Sequence, residues 1–164
     1  LEENMAREIE LTRGMKALVD DDMYEELSRF KWRVRHSWSS WYAMRHGNNG
    51  KSFDMHRVVL GLTHGDGIQV DHIDGNGLNN QRSNLRICSN TENQRNRRVG
   101  ANNTSGFKGV DFHKHSGTWR ARISIDGRRV FLGAFDNSID AARAYNKAAI
   151  TCFGEFARLN EIPE

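Results

Sequence analysis

The sequence predicts an α+β protein of two small units in series. Three observations point there. Between Ile68 and Arg98, two strand-like runs flank an Asn/Gly-rich loop and lead into a helical stretch. Between Phe107 and Phe135, three β-rich runs are punctuated by Ser116-Gly117 and Asp126-Gly127, and an Ala-rich amphipathic stretch follows. Between the two, Val-Gly-Ala-Asn-Asn-Thr-Ser-Gly at 99–106 is a linker by composition, without proline to stiffen it, so a flexible connection is expected. The expected layout is 1–98 with its core motif at 63–98, a linker at 99–106, and a second domain at 107–160.

In chain order, residues 7–62 read as an α+β lead-in. Lys16-Ala-Leu-Val19 is strand-like, and Asp20 to Asp22 offer caps to a helix over 23–27. Residues 31–36 and 41–46 are aromatic and basic and predict a hairpin whose turn, Ser37 to Ser40, is polar except for Trp38. Strand alternation puts Trp32 and Val34 on one face and Lys31, Arg33 and Arg35 on the other. Phe53 to Leu62 reads as a short helix. Ile68 to Ile73 and Leu85 to Ile87 are the motif's two strands, and Thr91 can cap a helix running toward Arg98 with Glu92 in its first turn. In the second unit, strands are expected at 107–113, 118–125 and 129–135. A helix over 139–153, capped by Ser138 and stopped at Gly154, presents Ala141, Tyr145, Ala148, Ala149 and Cys152 along one face.

Charge is unevenly placed. Residues 1–28 carry three Lys/Arg and nine Asp/Glu, whereas residues 29–57 carry seven basic residues and one acidic. A net charge of +3 with local basic patches suits a nucleic-acid binder as well as an ordinary solvated surface. No apolar run is long enough to span a bilayer, so no membrane partner is expected. The opening Leu-Glu-Glu-Asn lacks the basic start of a signal peptide. Cys88 and Cys152 have no CxxC partner, which argues against a zinc site or disulfide framework and suits a reducing cytoplasm.

The chemistry centres on Asp71-His72, with Asn84 twelve residues after His72 and Asn93 nine further on. Asp and Asn supply hard oxygen ligands suited to magnesium, manganese or calcium, and histidine titrates near neutrality, so it can take a proton from water. This order resembles the H-N-H nuclease motif, in the variant ending in Asn, over about Ile68 to Arg98. The resemblance implies a ββα-metal fold around one divalent ion, Mg2+ or Mn2+. It implies His72 as general base, Asn84 as the residue that orients it through a hydrogen bond, and Asp71 with Asn93 as ligands. Asn90 and Asn96 stand close to Asn93, and the family spacing selects Asn93. The implied products are a 5′-phosphate and a 3′-hydroxyl. His56 either approaches the ion or phosphate or packs a helix, and Asp74 is either an outer ligand or a turn former. Arg82, Arg86, Arg95, Arg97 and Arg98 read either as phosphate clamps or as a solvated face.

The second unit closely resembles the plant APETALA/ethylene-response-factor DNA-binding domain. Phe107-Lys-Gly-Val110, Trp119, Arg129-Val-Phe-Leu-Gly-Ala-Phe-Asp136, Ala141-Ala-Arg-Ala-Tyr145, Lys147-Ala-Ala149 and Leu159-Asn160 carry the match. It implies a three-stranded antiparallel sheet packed on one helix, with Lys108, Arg120, Arg122 and Arg129 as DNA contacts and His113 and His115 as weaker ones. Trp119 either faces DNA or packs on the helix. Asp111 and Ser124 stand where the plant domains usually carry arginine, and Phe131 replaces a DNA-facing tryptophan. The whole chain thus resembles a phage or mobile-element homing endonuclease acting on double-stranded DNA in the host cytoplasm, as a monomer or DNA-assembled dimer, with nicking favoured. The alternative is a DNA-binding regulator that keeps the nuclease fold without turnover.

Overall fold

A computed structural model describes residues 5–37, 40–48, 50–100 and 102–163. The chain divides between Asn93 and Gln94 into two compact units.

The first unit opens with an antiparallel hairpin of β1 (Ala6–Glu10) and β2 (Lys16–Asp20). β2 is the strand expected at 16–19. β1 escaped notice because its sequence, Ala-Arg-Glu-Ile-Glu, is mostly charged and buries Ile9 alone. The helix α1 (Asp21–Leu27) follows and buries Leu27. Asp20 holds the N-cap position, yet its side chain does not cap; Oδ2 instead accepts the backbone N–H of Arg82 at 2.9 Å. Next come β3 (Arg33–Ser37), β4 (Ser40–His46) and β5 (Ser52–Asp54), an antiparallel sheet in the order β3-β4-β5. The expected hairpin therefore gains a third strand, and Trp38 of its turn lies outside the described residues. α2 (Met55–Val59) is shorter than the helix expected from Phe53, because Ser52 to Asp54 pair with β4 first.

The motif supplies β6 (Gln69–His72), β7 (Leu85–Cys88) and α3 (Asn90–Arg95). β6 and β7 pair antiparallel, with Gln69 opposite Cys88 and His72 opposite Leu85. α3 is capped from Ser89, not Thr91. Ser89 Oγ accepts the Glu92 N–H at 3.2 Å, and Glu92 Oε2 accepts the Ser89 N–H at 2.7 Å, a reciprocal capping box. The motif is not a free-standing module. Ile9, Val19, Leu27, Trp32 and Met55 of the lead-in share one apolar cluster with Leu85, and Val70 and Leu78 pack against it. Backbone bonds Leu18 N–H to Leu78 O (2.9 Å) and Asn80 N–H to Leu18 O (2.7 Å) clasp the loop between β6 and β7 onto β2.

The second unit holds β8 (Val110–His113), β9 (Thr118–Ile125) and β10 (Arg128–Phe135), antiparallel in the order β10-β9-β8, and α4 (Ser138–Phe153). Asn137, not Ser138, caps α4, its Oδ1 accepting the Asp140 N–H at 2.8 Å. The helix ends at Gly154, whose φ of 54° few other residues adopt readily. Its buried face is Ala141, Ala142, Tyr145, Ala149 and Phe153. Cys152 is exposed because the four-residue step from Ala149 continues the stripe at Phe153. Ala141 and Ala142 cluster with Val110 and Ala121, and Tyr145 and Ala149 with Ile123. Gly109 (φ 74°) sits under Tyr145; a Cβ there would lie 2.1 Å from its ring.

The expected flexible linker is an ordered turn where it is described. Asn103 Nδ2 donates to Phe107 O at 2.9 Å, and Ser105 Oγ donates to Val110 O at 2.8 Å. Short polar side chains here replace the missing ladder by bonding nearby backbone.

Candidate active site

Asp71 and His72 end β6 and are both buried, at 5% and 6% exposure. The register puts Arg86 of β7 directly opposite Asp71. Arg86 donates from Nε (2.9 Å) and Nη2 (2.7 Å) to the same Asp71 oxygen, Oδ2. A carboxylate this buried needs a cationic partner. Arg86, expected as a phosphate clamp, is therefore committed within the fold.

His72 lies in a wall of rings. Its centroid is 5.2 Å from His56 and 5.8 Å from Tyr42 of β4, both edge-on. Burial pulls His72 below its ordinary range, while the Asn80 hydrogen bond and the charges of Asp74 and Asp71 oppose the shift. Burial pulls His56 much further, to about 3, helped by His72, Arg57 and Arg35. His56 Nδ1 is buried without a hydrogen-bond partner among the described residues. Asn80, fully buried, donates from Nδ2 to Leu78 O at 3.1 Å, which turns its Oδ1 toward His72 Nε2 at 3.4 Å. An amide oxygen can only accept, so this contact is a hydrogen bond when the imidazole carries its proton on Nε2.

Asn84 does not make the expected bond to His72. Its Oδ1 accepts the Asp74 N–H (3.0 Å), and its Nδ2 donates to Asp74 Oδ1 (3.0 Å) and Asn79 O (2.8 Å). The short amide reaches the loop that follows His72, so it orders that loop while Asn80 meets the ring. Asp74 behaves as a turn former, its Oδ1 also accepting the Asn76 N–H at 2.7 Å and its Oδ2 the Asn79 amide at 2.9 Å. In the sequence Asn80 is one asparagine of an Asn/Gly-rich loop, and Tyr42 one ring of an aromatic stretch. Neither carries a local signal of its role.

Asn93 is half-buried on α3, its N–H pointing to Ser89 O at 3.0 Å. Cys88 ends β7 just ahead of the helix. Burial pushes the Cys88 thiol up to about 11, Asp71 and Glu92 add to the rise, and a hydrogen bond from the Asn93 backbone counters it. Among the described residues no three His, Cys, Asp or Glu side chains gather in a group that could hold a metal ion. A carboxylate such as that of Asp71 and an amide oxygen such as that of Asn93 are hard donors, the chemistry a divalent ion of the magnesium kind takes.

The remaining expected contacts divide. Arg82 is tied to Asp22 by two bonds of 2.8 Å, so it too serves the fold. Arg95 lies 4.7 Å from the Phe153 ring centroid and 3.6 Å from Asp126. Arg97 is exposed. Lys108 is turned inward, donating to Arg97 O at 2.7 Å and to Arg95 O; burial, with the Arg158 charge second, pulls it down to about 8. It holds residues 95–97 instead of standing open to a phosphate. Arg120, Arg122 and Arg129 lie on one face of the second sheet, where Arg120 and Arg122 both pair with Asp111. Trp119 packs against the Val110–Ala121–Ala141 cluster, which settles its two readings in favour of the core.

Over 155 residues the chain is 32% identical to an uncharacterised HNH endonuclease, L560, of Acanthamoeba polyphaga mimivirus, covering 92% of this chain and 77% of that protein. The chain belongs to the HNH endonuclease family. The family's own model matches residues 54–95, a span that holds His56, Asp71, His72, Asn84 and Asn93. Protein 3.8 of Escherichia phage T7 is 40% identical over 63 residues, 38% of this HNH chain and 52% of the phage protein. APETALA2-like protein 2 of Oryza sativa subsp. indica is 41% identical over 64 residues, 39% of this chain and 15% of the rice protein. This HNH chain therefore spans about half the length of the phage relative and a small part of the plant one.

Proposed function

We propose that the first unit is a metal-dependent DNA endonuclease of the ββα-metal type, and that the second is an APETALA/ethylene-response-factor-like domain that holds duplex DNA for it. The observation that carries the reading is the buried Asp71-His72 pair at the end of β6, with His72 backed by Asn80 and kept neutral by burial. A neutral imidazole accepts a proton from an attacking water. Asp71 and Asn93 would hold one magnesium or manganese ion. When bound, that ion supplies charge stabilisation for the scissile phosphate and the leaving oxygen. Arg86 fixes the Asp71 carboxylate through a two-point grip on one oxygen. Tyr42 and His56 shield the His72 ring from bulk water, so its proton affinity is set by the protein. Asn84 shapes the loop that presents these groups. The products are a 5′-phosphate and a 3′-hydroxyl.

A homing-type role in the cytoplasm of a phage or mobile-element host follows from the pairing of a cutting unit with an addressing unit. Tethering raises the local concentration of DNA at a catalytic patch that would hold it weakly alone. One site per chain breaks one strand per event, so a monomer nicks and a dimer assembled on DNA cuts both strands.

Supercoiled plasmid incubated with magnesium, manganese or EDTA, using wild type and His72→Ala in parallel, tests the reading. Relaxed circles from wild type, abolished by EDTA and by His72→Ala, are expected. Linear product points to paired sites. Failure of wild type to cut in either metal, while both proteins retard DNA, overturns the nuclease assignment on this substrate.

A further inference from the structure

We propose that Asp111 is a specificity-determining residue of the second unit: its grip on Arg120 and Arg122 reserves them for base edges of duplex DNA and withholds them from phosphates. The proposal rests on the DNA-binding reading of that unit. Asp111 stands directly opposite Arg120 in the β8–β9 register, and Arg122 is two residues further along the same face. Oδ2 of Asp111 accepts from Arg120 Nε (3.2 Å) and Nη2 (2.6 Å), while Oδ1 accepts from Arg122 Nη2. One carboxylate thus fixes two guanidinium planes. Ser124 continues that face on β9, and β10 contributes Arg129 and Phe131 opposite Ser124 and Arg122. Asp111, Arg122, Ser124 and Arg129 line a cleft of about 250 Å³.

A phosphate competes with Asp111 for the same N–H groups and meets its negative charge. A guanine edge offers two neutral acceptors and meets no such repulsion. Arg122 gives Asp111 one N–H of Nη2, and its Nε and Nη1 make no further hydrogen bond among the described residues, so the second Nη2 N–H with one of these neighbours leaves a single fork for such an edge. Holding the planes in place beforehand also lowers the ordering cost of binding. Phe131, 59% exposed beside Arg122, adds an apolar surface suited to a thymine methyl. Burial alone would raise the Asp111 carboxyl, but the bonds and charges of Arg120 and Arg122 together bring it below its ordinary value. The carboxylate is therefore charged at neutral pH. Arg129, exposed and without an ion pair among the described residues, is left for phosphate.

The test uses the full chain in EDTA. Wild type, Asp111→Asn and Asp111→Ser are titrated against one unrelated control duplex over a range of salt. Each is also used to select from a duplex pool with a randomised centre, and thermal melts check that all three fold. Wild type is expected to enrich a motif. Both variants are expected to bind the control duplex several-fold more tightly, with a salt slope steeper by about 0.9 for one added phosphate contact, and to enrich the motif less. Variants that fold but bind the control duplex no more tightly, with an unchanged slope, overturn the proposal. Unchanged enrichment does the same. A folded wild type that retards no duplex at all overturns the DNA-binding reading together with it.

Discussion

At the scale of single residues, the two imidazoles near the end of β6 differ in what they gain from burial. His72 keeps hydrogen-bonding and charged company that moderates its loss of basicity, whereas His56 has an unpartnered Nδ1 and is pulled to about 3. This has a sign that can be worked through. In the unfolded chain His56 titrates near its ordinary 6.5, so below that pH the unfolded state binds a proton that the folded state refuses. Its contribution to stability is complete above pH 6.5 and drains away as pH falls from 6.5 toward about 3. His56→Gln should therefore lose less stability over that window than wild type does. Urea midpoints at a series of pH values measure it, and parallel curves for the two proteins would contradict the assignment. Asp71 and His72 stand out in the sequence by their spacing to the asparagines, and the fold buries both. Asn80 does not stand out, since a buried amide aimed at an imidazole and an Asn that merely turns a loop look alike in one dimension. Arg86 was misread for a related reason: only the strand register shows which carboxylate stands opposite it.

Elements were more legible in type than in their ends. The helix after β7 was foreseen, yet its cap was placed on Thr91, although Ser89 and Glu92 form the S-x-x-E pattern three residues apart. Several polar residues in a row each qualify as a cap, and the backbone selects one. Because α3 carries Asn93 in its first turns, loss of this cap bears on the site as well as on the helix. Ser89→Ala is expected to cost about 1 kcal/mol of stability. It should also speed amide hydrogen exchange at residues 91–93 before exchange in β6 and β7 changes; equal protection in the two proteins would remove the cap from the account. β1 shows the opposite difficulty. Its side chains alternate poorly, and it forms a strand because β2 offers a complete ladder from Ala6 to Glu10.

For the whole molecule, the residues ahead of the motif are structural support for it. Leu85 sits in the same apolar cluster as Val19, Leu27 and Met55, so much of the burial that stabilises β7 comes from residues before 62. A fragment of residues 63–164 should consequently lose ordered structure in β6 and β7 and fail to cut any plasmid, while the second sheet keeps its own core. Two-dimensional amide spectra of that fragment decide the matter: dispersed signals for 69–72 and 85–88 would show that the lead-in is dispensable. Composition and charge hinted at two units but could not reveal that the first has one core, because the contacts that join it are separated by up to dozens of residues. The seam itself, at Asn93–Gln94, lies ahead of the Gly- and Asn-rich stretch that looked like the natural break.

The clasp between Leu18 and the loop at Leu78 and Asn80 sets the size of the smallest piece that can be exchanged between proteins. A swap that took the recognisable motif alone would leave those backbone groups facing a foreign strand. In chimaeras or in recombination between related genes, the inheritable cassette is the stretch from β1 to Asn93, and crossovers inside it should be strongly depleted among working descendants.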